Sequence, residues 1–595
     1  MFSLPYEDQV MSVSLAVRKN PLLAPKISLE REQAEFAGLT ALLNCYIREF
    51  ARPAGRVKQV QQGNIPLSLA SRMVTGDVIL LEMGGDDSTL FAIRAARWSL
   101  LDRGDYIGTP FIKQFGRPWR AVRSSEAMAL LVSDMVRQTG QLPDLELLDQ
   151  IENSVQVAAS FLQHLPERNS EHNYIGSEES LLWGHPMHPS PKSRQGVSPE
   201  ALLACSPEVS ARFPLFWFRI DPSLLQVRGG APVTRMLDKL NGENSYPCHP
   251  WEVHHITQSP LYARAVSAGL ITPLGLTGAE FAATSSVRTL YRADLPYYLK
   301  CSIHVRLTNC VRKNAWYELE SAVALNTLLD SHFTRLEANV PGFHIMREPA
   351  ASSLDLSAVA NANEMEEVRH LQECFGILYR ENLTDEQPWL AASLFALDHQ
   401  GNSPLQPLIH QLSTAQGIST QQASLLWINS YLSVLLPGVL DAFFTEGLVF
   451  EPHLQNVLVS FENHLPNQIW VRDLEGTKLT TERWPASDLA MMSERARQSV
   501  WYSREQGWRR VAYCLLINHL SEVLFRLADG DQMLEQKLWD ALAGQLSRWQ
   551  HQPEITAILA GGAIPSKNNL KTRLLQKADK HADYTLMQHP MRSAL

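Results

Sequence analysis

The sequence predicts an α+β protein of several domains, with mixed antiparallel sheets and a largely helical C-terminal part. Three observations lead there. At 595 residues the chain exceeds what one hydrophobic core covers, so two to four domains are expected. Runs of β-branched and aromatic residues at strand spacing crowd the part before about residue 350. Beyond it, long segments with apolar residues at helical spacing dominate, and a single strand pair interrupts them. The expected division is 1–165, 166–348 and 349–595.

The elements follow in order. Met1 to Leu23 has no continuous apolar stretch and no small-residue cleavage site, so no signal peptide is expected. Glu30 to Phe50 reads as a helix with Phe36, Leu39, Leu42, Leu43 and Ile47 on one face. Val78–Met83 and Thr89–Ile93 read as strands across a Gly84–Asp87 turn. Ser124–Thr139 and Leu145–His164 read as consecutive helices. Leu215–Ile220 has the content of a buried strand. Leu299–Leu307 alternates as one strand, with Lys300, Ser302, His304 and Arg306 on a polar, cationic face. Ser419–Glu446 and Ser499–Ala528 read as long helices, separated by the strands Asn456–Val459 and Gln468–Asp473. Leu425 to Phe450 is the strongest membrane candidate, but Asn429, Pro437, Asp441 and Glu446 make it a buried helix instead.

Composition narrows the class. Hydrophobic residues at 45% and charged residues at 19% describe a globular protein, and a net charge of −9 argues against nucleic-acid binding. The 7 cysteines are scattered without a Cys-x-x-Cys pair, so neither a disulfide framework nor a structural zinc site is expected. A reduced, cytoplasmic enzyme is the expectation.

Four segments carry chemistry. Gly184 to Gly196 holds His185, His188, Lys192 and Arg194 among prolines and glycines. It reads as a stiff loop presenting two exposed cations to phosphate oxygens. Thr284 to Thr289 packs four hydroxyls around Arg288, again suited to phosphate. Lys300 to Arg312 places Lys300 and Arg306 at one strand parity, able to face one anionic ligand. A hairpin would bring Glu451 to Val459 against Arg472 to Gly476, gathering His453, Asn456, Asp473 and Glu475; Asn and Asp oxygens suit Mg²⁺, which bridges phosphates. His249 reads as structural, and adjacent His254 and His255 point apart.

Together with His249-Pro250-Trp251 and Lys567 to Arg573, these segments resemble the NRPS-independent siderophore synthetases of the IucA/IucC, or aerobactin synthetase, family. The resemblance implies a cupped hand with thumb, fingers and palm in chain order. It implies an enzyme that uses ATP and Mg²⁺ to adenylate a carboxylate of citrate or a related acid, then passes the acyl group to an amine or alcohol. It assigns His185, Lys192, Arg194, Ser285, Ser286, Arg288, Thr289, Lys300 and Gln455 to the nucleotide. Arg312, His453 and Thr308 go to the carboxylate substrate, with Lys300 at the α-phosphate, and Asn456, Asp473 and Glu475 to the metal. It further implies a homodimer that needs neither membrane nor nucleic acid. A kinase-like phosphotransferase is the nearest rival, but Leu454 and Gln455 stand where its aspartate base would be. A ferric siderophore reductase would need a C-terminal cysteine cluster, and Cys514 is alone there. A zinc hydrolase on His185 and His188 is spoiled by Pro186 and Pro189.

Overall fold

Helix Leu29–Tyr46 begins where periodicity places it, because the Ser28 hydroxyl caps it by accepting from the Arg31 N–H at 3.2 Å. The computed structural model describes residues 28–73, 76–84, 89–141, 145–167, 173–307, 310–383, 386–490, 492–577 and 582–592. The Met1–Leu23 stretch, most of the Gly84–Asp87 turn and Thr308 lie outside them.

The first helix runs on into a π-helical turn, Ile47–Ala51, and packs against helices Ser124–Thr139 and Leu145–Gln163. A five-stranded antiparallel sheet lies beside them, from Val57–Val60 to Arg120–Ala121 in sequential order. One late element completes this core. Helix Asn569–Leu574 inserts Leu570 and Leu574, and Glu49 accepts from the Leu570 and Lys571 N–H groups at 3.0 and 2.7 Å.

The middle of the chain builds an eight-stranded antiparallel sheet. Its order is Leu225–Arg228, Ala350–Leu354, Ile377–Glu381, Tyr297–Cys301, Thr289–Tyr291, Ile271–Ala283, Arg212–Ile220, Ser245–Cys248. The sheet therefore runs past residue 348 and takes two strands from what the sequence assigned to the third region. The strand expected over 299–307 is a second correction. It breaks at Ser302, whose N–H donates to Gly376 O at 3.1 Å and whose hydroxyl bonds Glu373 O and accepts from Asn314 N–H. Tyr297–Cys301 stays in the large sheet, while Ile303–Leu307 joins Arg194–Gln195 and Cys310–Arg312 in another. Lys300 and Arg306 accordingly face different surroundings, and Arg306 pairs with Glu146 at 3.1 Å.

The last third is mainly helical. Thr420–Phe444 and the continuous run Arg504–Ala528 are long and apolar enough to cross a membrane, yet 72% and 89% of their most apolar windows are buried inside the protein. They are core helices. A four-stranded sheet leans on them. Its centre is the hairpin Val457–Glu462/Leu465–Val471, turned by Asn463 and His464 at φ 52° and 67°, and Phe343–Ile345 runs parallel to its second strand.

Candidate active site

The site lies where the eight-stranded sheet meets the base of that hairpin. Thr289 is directly opposite Lys300, and Arg380 lies diagonally from it on the next strand, so period-two geometry puts all three on one sheet face. The hairpin supplies the opposing charges. Lys300 Nζ bonds Asp473 Oδ1 and lies 2.7 Å from Glu475 Oε2. Arg380 reaches Asp473 at 3.1 Å and Glu348 at 2.7 Å. Arg288 lies 3.5 Å from Glu475 and donates to Asn314 Oδ1 at 2.5 Å. Three cations and three carboxylates thus interlock, and Lys300, Arg288, Arg380 and Glu348 are buried. Burial opposes the charged form of Asp473, but Lys300 and then Arg380 overcome it and hold its carboxyl far below the usual range. Glu475 is lowered in the same way, by Lys300 and Arg288 against burial.

Backbone conformation aims these groups. Asp473 sits at φ 77°, a left-handed turn that aspartate tolerates. The hydroxyl loop is turned by Val287 at φ 68°, costly for a β-branched residue and held by buried packing of its side chain. Inside that loop Ser286 Oγ donates to Thr289 Oγ1 at 2.8 Å and accepts from Thr289 N–H at 3.2 Å. Gln455 Nε2 donates to Ser285 Oγ at 3.3 Å, tying the loop to the hairpin. Beneath both lies Arg472, bonded to Glu178, to Tyr174 Oη at 3.2 Å and to Gln455 O at 2.8 Å. Glu178 in turn accepts from the Ser285 N–H at 3.0 Å.

A second group adjoins the first. Burial drives the His453 imidazole below its ordinary value against the pull of Glu451 and Asp473, with Arg472 and Arg312 adding to the decrease. Arg312 and Asp473 are thus both within electrostatic range of His453. His185 is lowered to about 3 by burial, then by His188 and His453. Met187 N–H donates to its Nδ1 at 2.9 Å, and its Nε2 lies 2.9 Å from Asn518 Nδ2. Asn456 is buried, donates to Glu451 O at 3.2 Å and accepts through its carbonyl from Arg472 N–H at 3.0 Å.

Lys192 and Arg194 require a correction. They are buried, 7% and 4% exposed, and share one carboxylate: Glu208 Oε1 lies 2.6 Å from Lys192 Nζ and 2.5 Å from Arg194 Nη2. Arg194 also donates to Ser206 and stacks over Phe161, and their N–H groups bond Ser154 and Asn153 of helix Leu145–Gln163. These two cations point into the protein, where Glu208 and not solvent meets them. Thr308 lies outside the described residues. Glu348, Arg380, Glu178 and Asn314 were not found from the sequence. Arg380 had one visible signal, a cation directly after the apolar run Ile377–Tyr379.

Comparison with known proteins is consistent with this arrangement. Residues 173–396 match the model of the IucA / IucC family, and residues 425–582 match that of the "Ferric iron reductase FhuF-like transporter" family. In the second segment Cys514 is the sole cysteine, and burial pushes its thiol up to about 12, so the segment lacks the four thiolates of a cysteine-ligated cluster. The L-2,3-diaminopropanoate–citrate ligase of Staphylococcus aureus is 27% identical over 489 residues, covering 77% of this chain and 82% of the relative. The spermidine-citrate ligase of Bacillus anthracis is 25% identical over 606 residues, covering 94% and 98%. The ATP-bound aerobactin synthetase IucA of Klebsiella pneumoniae superimposes with a TM-score of 0.78 at 22% identity, covering 94% of this chain and 99% of that one.

Proposed function

We propose, from the match of residues 173–396 to the IucA/IucC family, that this chain is a siderophore-synthesising ligase that uses ATP to activate a carboxylate of citrate, or a citrate derivative, and joins it to an amine or alcohol. The citrate ligases it resembles pair citrate with amines, which favours an amine here. One observation carries the reading: three cations held inside a carboxylate cage at the contact of two sheets.

The chemistry explains that cage. A carboxylate oxygen must attack the α-phosphorus of ATP while the bond to pyrophosphate breaks, and both partners are anionic. Lys300, Arg288 and Arg380 can turn from their carboxylates to phosphate oxygens, with Ser285, Ser286, Thr289 and Gln455 donating around them. Asp473 and Glu475, with Asn456, would then be free to hold Mg²⁺. Glu475 Oε2, 2.7 Å from Lys300 Nζ, would be released to that role once the lysine turned to phosphate. Mg²⁺, when bound, screens phosphate charge. In the second step the amine nitrogen attacks the acyl carbon, the bond to AMP breaks, and the amine loses a proton. His453, kept neutral by burial, offers a hydrogen bond to citrate and a lone pair for that proton. Arg312 and Thr308 complete the citrate side. We assign the three regions to the thumb, fingers and palm of a cupped hand, and the enzyme to the cytoplasm as a homodimer.

Incubation with ATP, Mg²⁺, citrate and hydroxylamine tests this. Citryl hydroxamate, AMP and pyrophosphate are the expected products. ADP without AMP overturns adenylation and favours a phosphotransferase.

A further inference from the structure

The break at Ser302 gives His304 a role outside the site. Strand Ile303–Leu307 turns it toward helix Met365–Cys374, where His370 and Cys374 sit one turn apart on the same face. The ligand-capable atoms of His304, His370 and Cys374 lie within 4.8 Å of one another. Cys374 Sγ is 3.7 Å from His370 Nε2 and 4.0 Å from His304 Nδ1.

We propose that His304, His370 and Cys374 bind one zinc ion, with the buried carboxylate of Glu252 beside it. The donor set is two imidazoles and a thiol, which suits zinc and excludes the hard, oxygen-seeking Mg²⁺. The distances agree. A tetrahedral zinc with bonds of about 2.0 Å to nitrogen and 2.3 Å to sulfur sets those ligands ~3.6 Å apart. Closing 3.7 and 4.0 Å to that value takes side-chain movements of a few tenths of an ångström. Glu252 provides the support such a site needs. It is fully buried, one oxygen accepts from the His304 backbone N–H at 2.8 Å, and the other bonds His304 Nδ1, the nitrogen that faces Cys374, so zinc would take the place of the proton between them. Cys374 is buried while His304 and His370 are only partly so, leaving an entry path and a fourth position for water. The ion would fasten helix Met365–Cys374 to strand Ile303–Leu307. Through the Ile303–Arg312 pairing it would also steady the strand that carries Arg312.

The test uses the full chain, dialysed against chelator and free of nucleotide. Zinc chloride titrated by calorimetry should bind one ion per chain and raise the thermal midpoint. Co²⁺ in its place should give a thiolate-to-cobalt charge-transfer band. His370→Ala, at a partly exposed position, should weaken zinc at least ~100-fold while circular dichroism stays unchanged. Cys374→Ser, nearly isosteric, should abolish the cobalt band. Absence of stoichiometric zinc binding by the wild type overturns the proposal whatever the variants do. So does binding that both substitutions leave intact.

Discussion

Glu208 decides what Lys192 and Arg194 are. Burial alone would raise its carboxyl, but Arg194 and Lys192 bring it down to about 2. Removing both cations leaves a buried, unpaired carboxylate and should cost about 3–5 kcal/mol, whereas a triple variant with Lys192→Met, Arg194→Met and Glu208→Leu should be near neutral. Thermal denaturation decides; a double variant as stable as wild type would return these cations to the ligand. The sign with pH follows. Because the folded carboxyl is depressed from 4.5, its stabilisation is full above that value and drains as pH falls toward 2. Between about pH 6 and 3.5 the wild type should lose roughly 1 kcal/mol more than the triple variant. Arg312 is the complementary case. Arg312→Ala should raise KM for citrate by ~2–4 kcal/mol of lost binding and leave ATP binding in place, read from initial rates at varied citrate. Residue types were thus a fair guide to chemistry, but not to pairing. Nothing at positions 192 and 194 announces that their partner is Glu208, because that contact belongs to the fold around Ser206 and not to the loop.

At the scale of elements, regular periodicity was legible and its interruptions were not. Ser124–Thr139 and Leu145–Gln163 are found almost to the residue, since each is one amphipathic face against one core. The hairpin was legible too, and with it the meeting of His453 and Asn456 with Asp473. Leu299–Leu307 misled because alternation continues straight through Ser302, while the break comes from bonds to Gly376, Glu373 and Asn314. The hairpin's end offers a clean variant. Asparagine, like aspartate, accepts the left-handed conformation at 473, so Asp473→Asn should fold normally and lose one charge beside Lys300. Its activity should demand more Mg²⁺ than wild type; an unchanged Mg²⁺ dependence would remove Asp473 from the metal side.

At the scale of the whole molecule, the first and last described regions are locked together. Arg103 pairs with Glu522 at 3.1 Å, and Arg526 with Asp105, joining the first sheet to the C-terminal helices through buried ion pairs. Leu570 and Leu574, 0% and 2% exposed, fill the first core from the other end of the sequence. Leu570→Ala with Leu574→Ala should cost several kcal/mol, of order 2–5 for each. It should also split thermal unfolding into two steps, the N-terminal region melting first; one unshifted transition would show that the helix is not part of that core. This docking also sets a schedule. Glu49 and its partner Leu570 are separated by 521 residues of chain. At a synthesis rate of about 5–20 residues per second, the first core waits roughly 25–100 s for its last two leucines. Throughout that interval the nascent chain shows an apolar slot and an unanswered buried carboxylate. The region made first is therefore among the last to be finished, and the newborn protein depends longest on whatever shelters it at the ribosome.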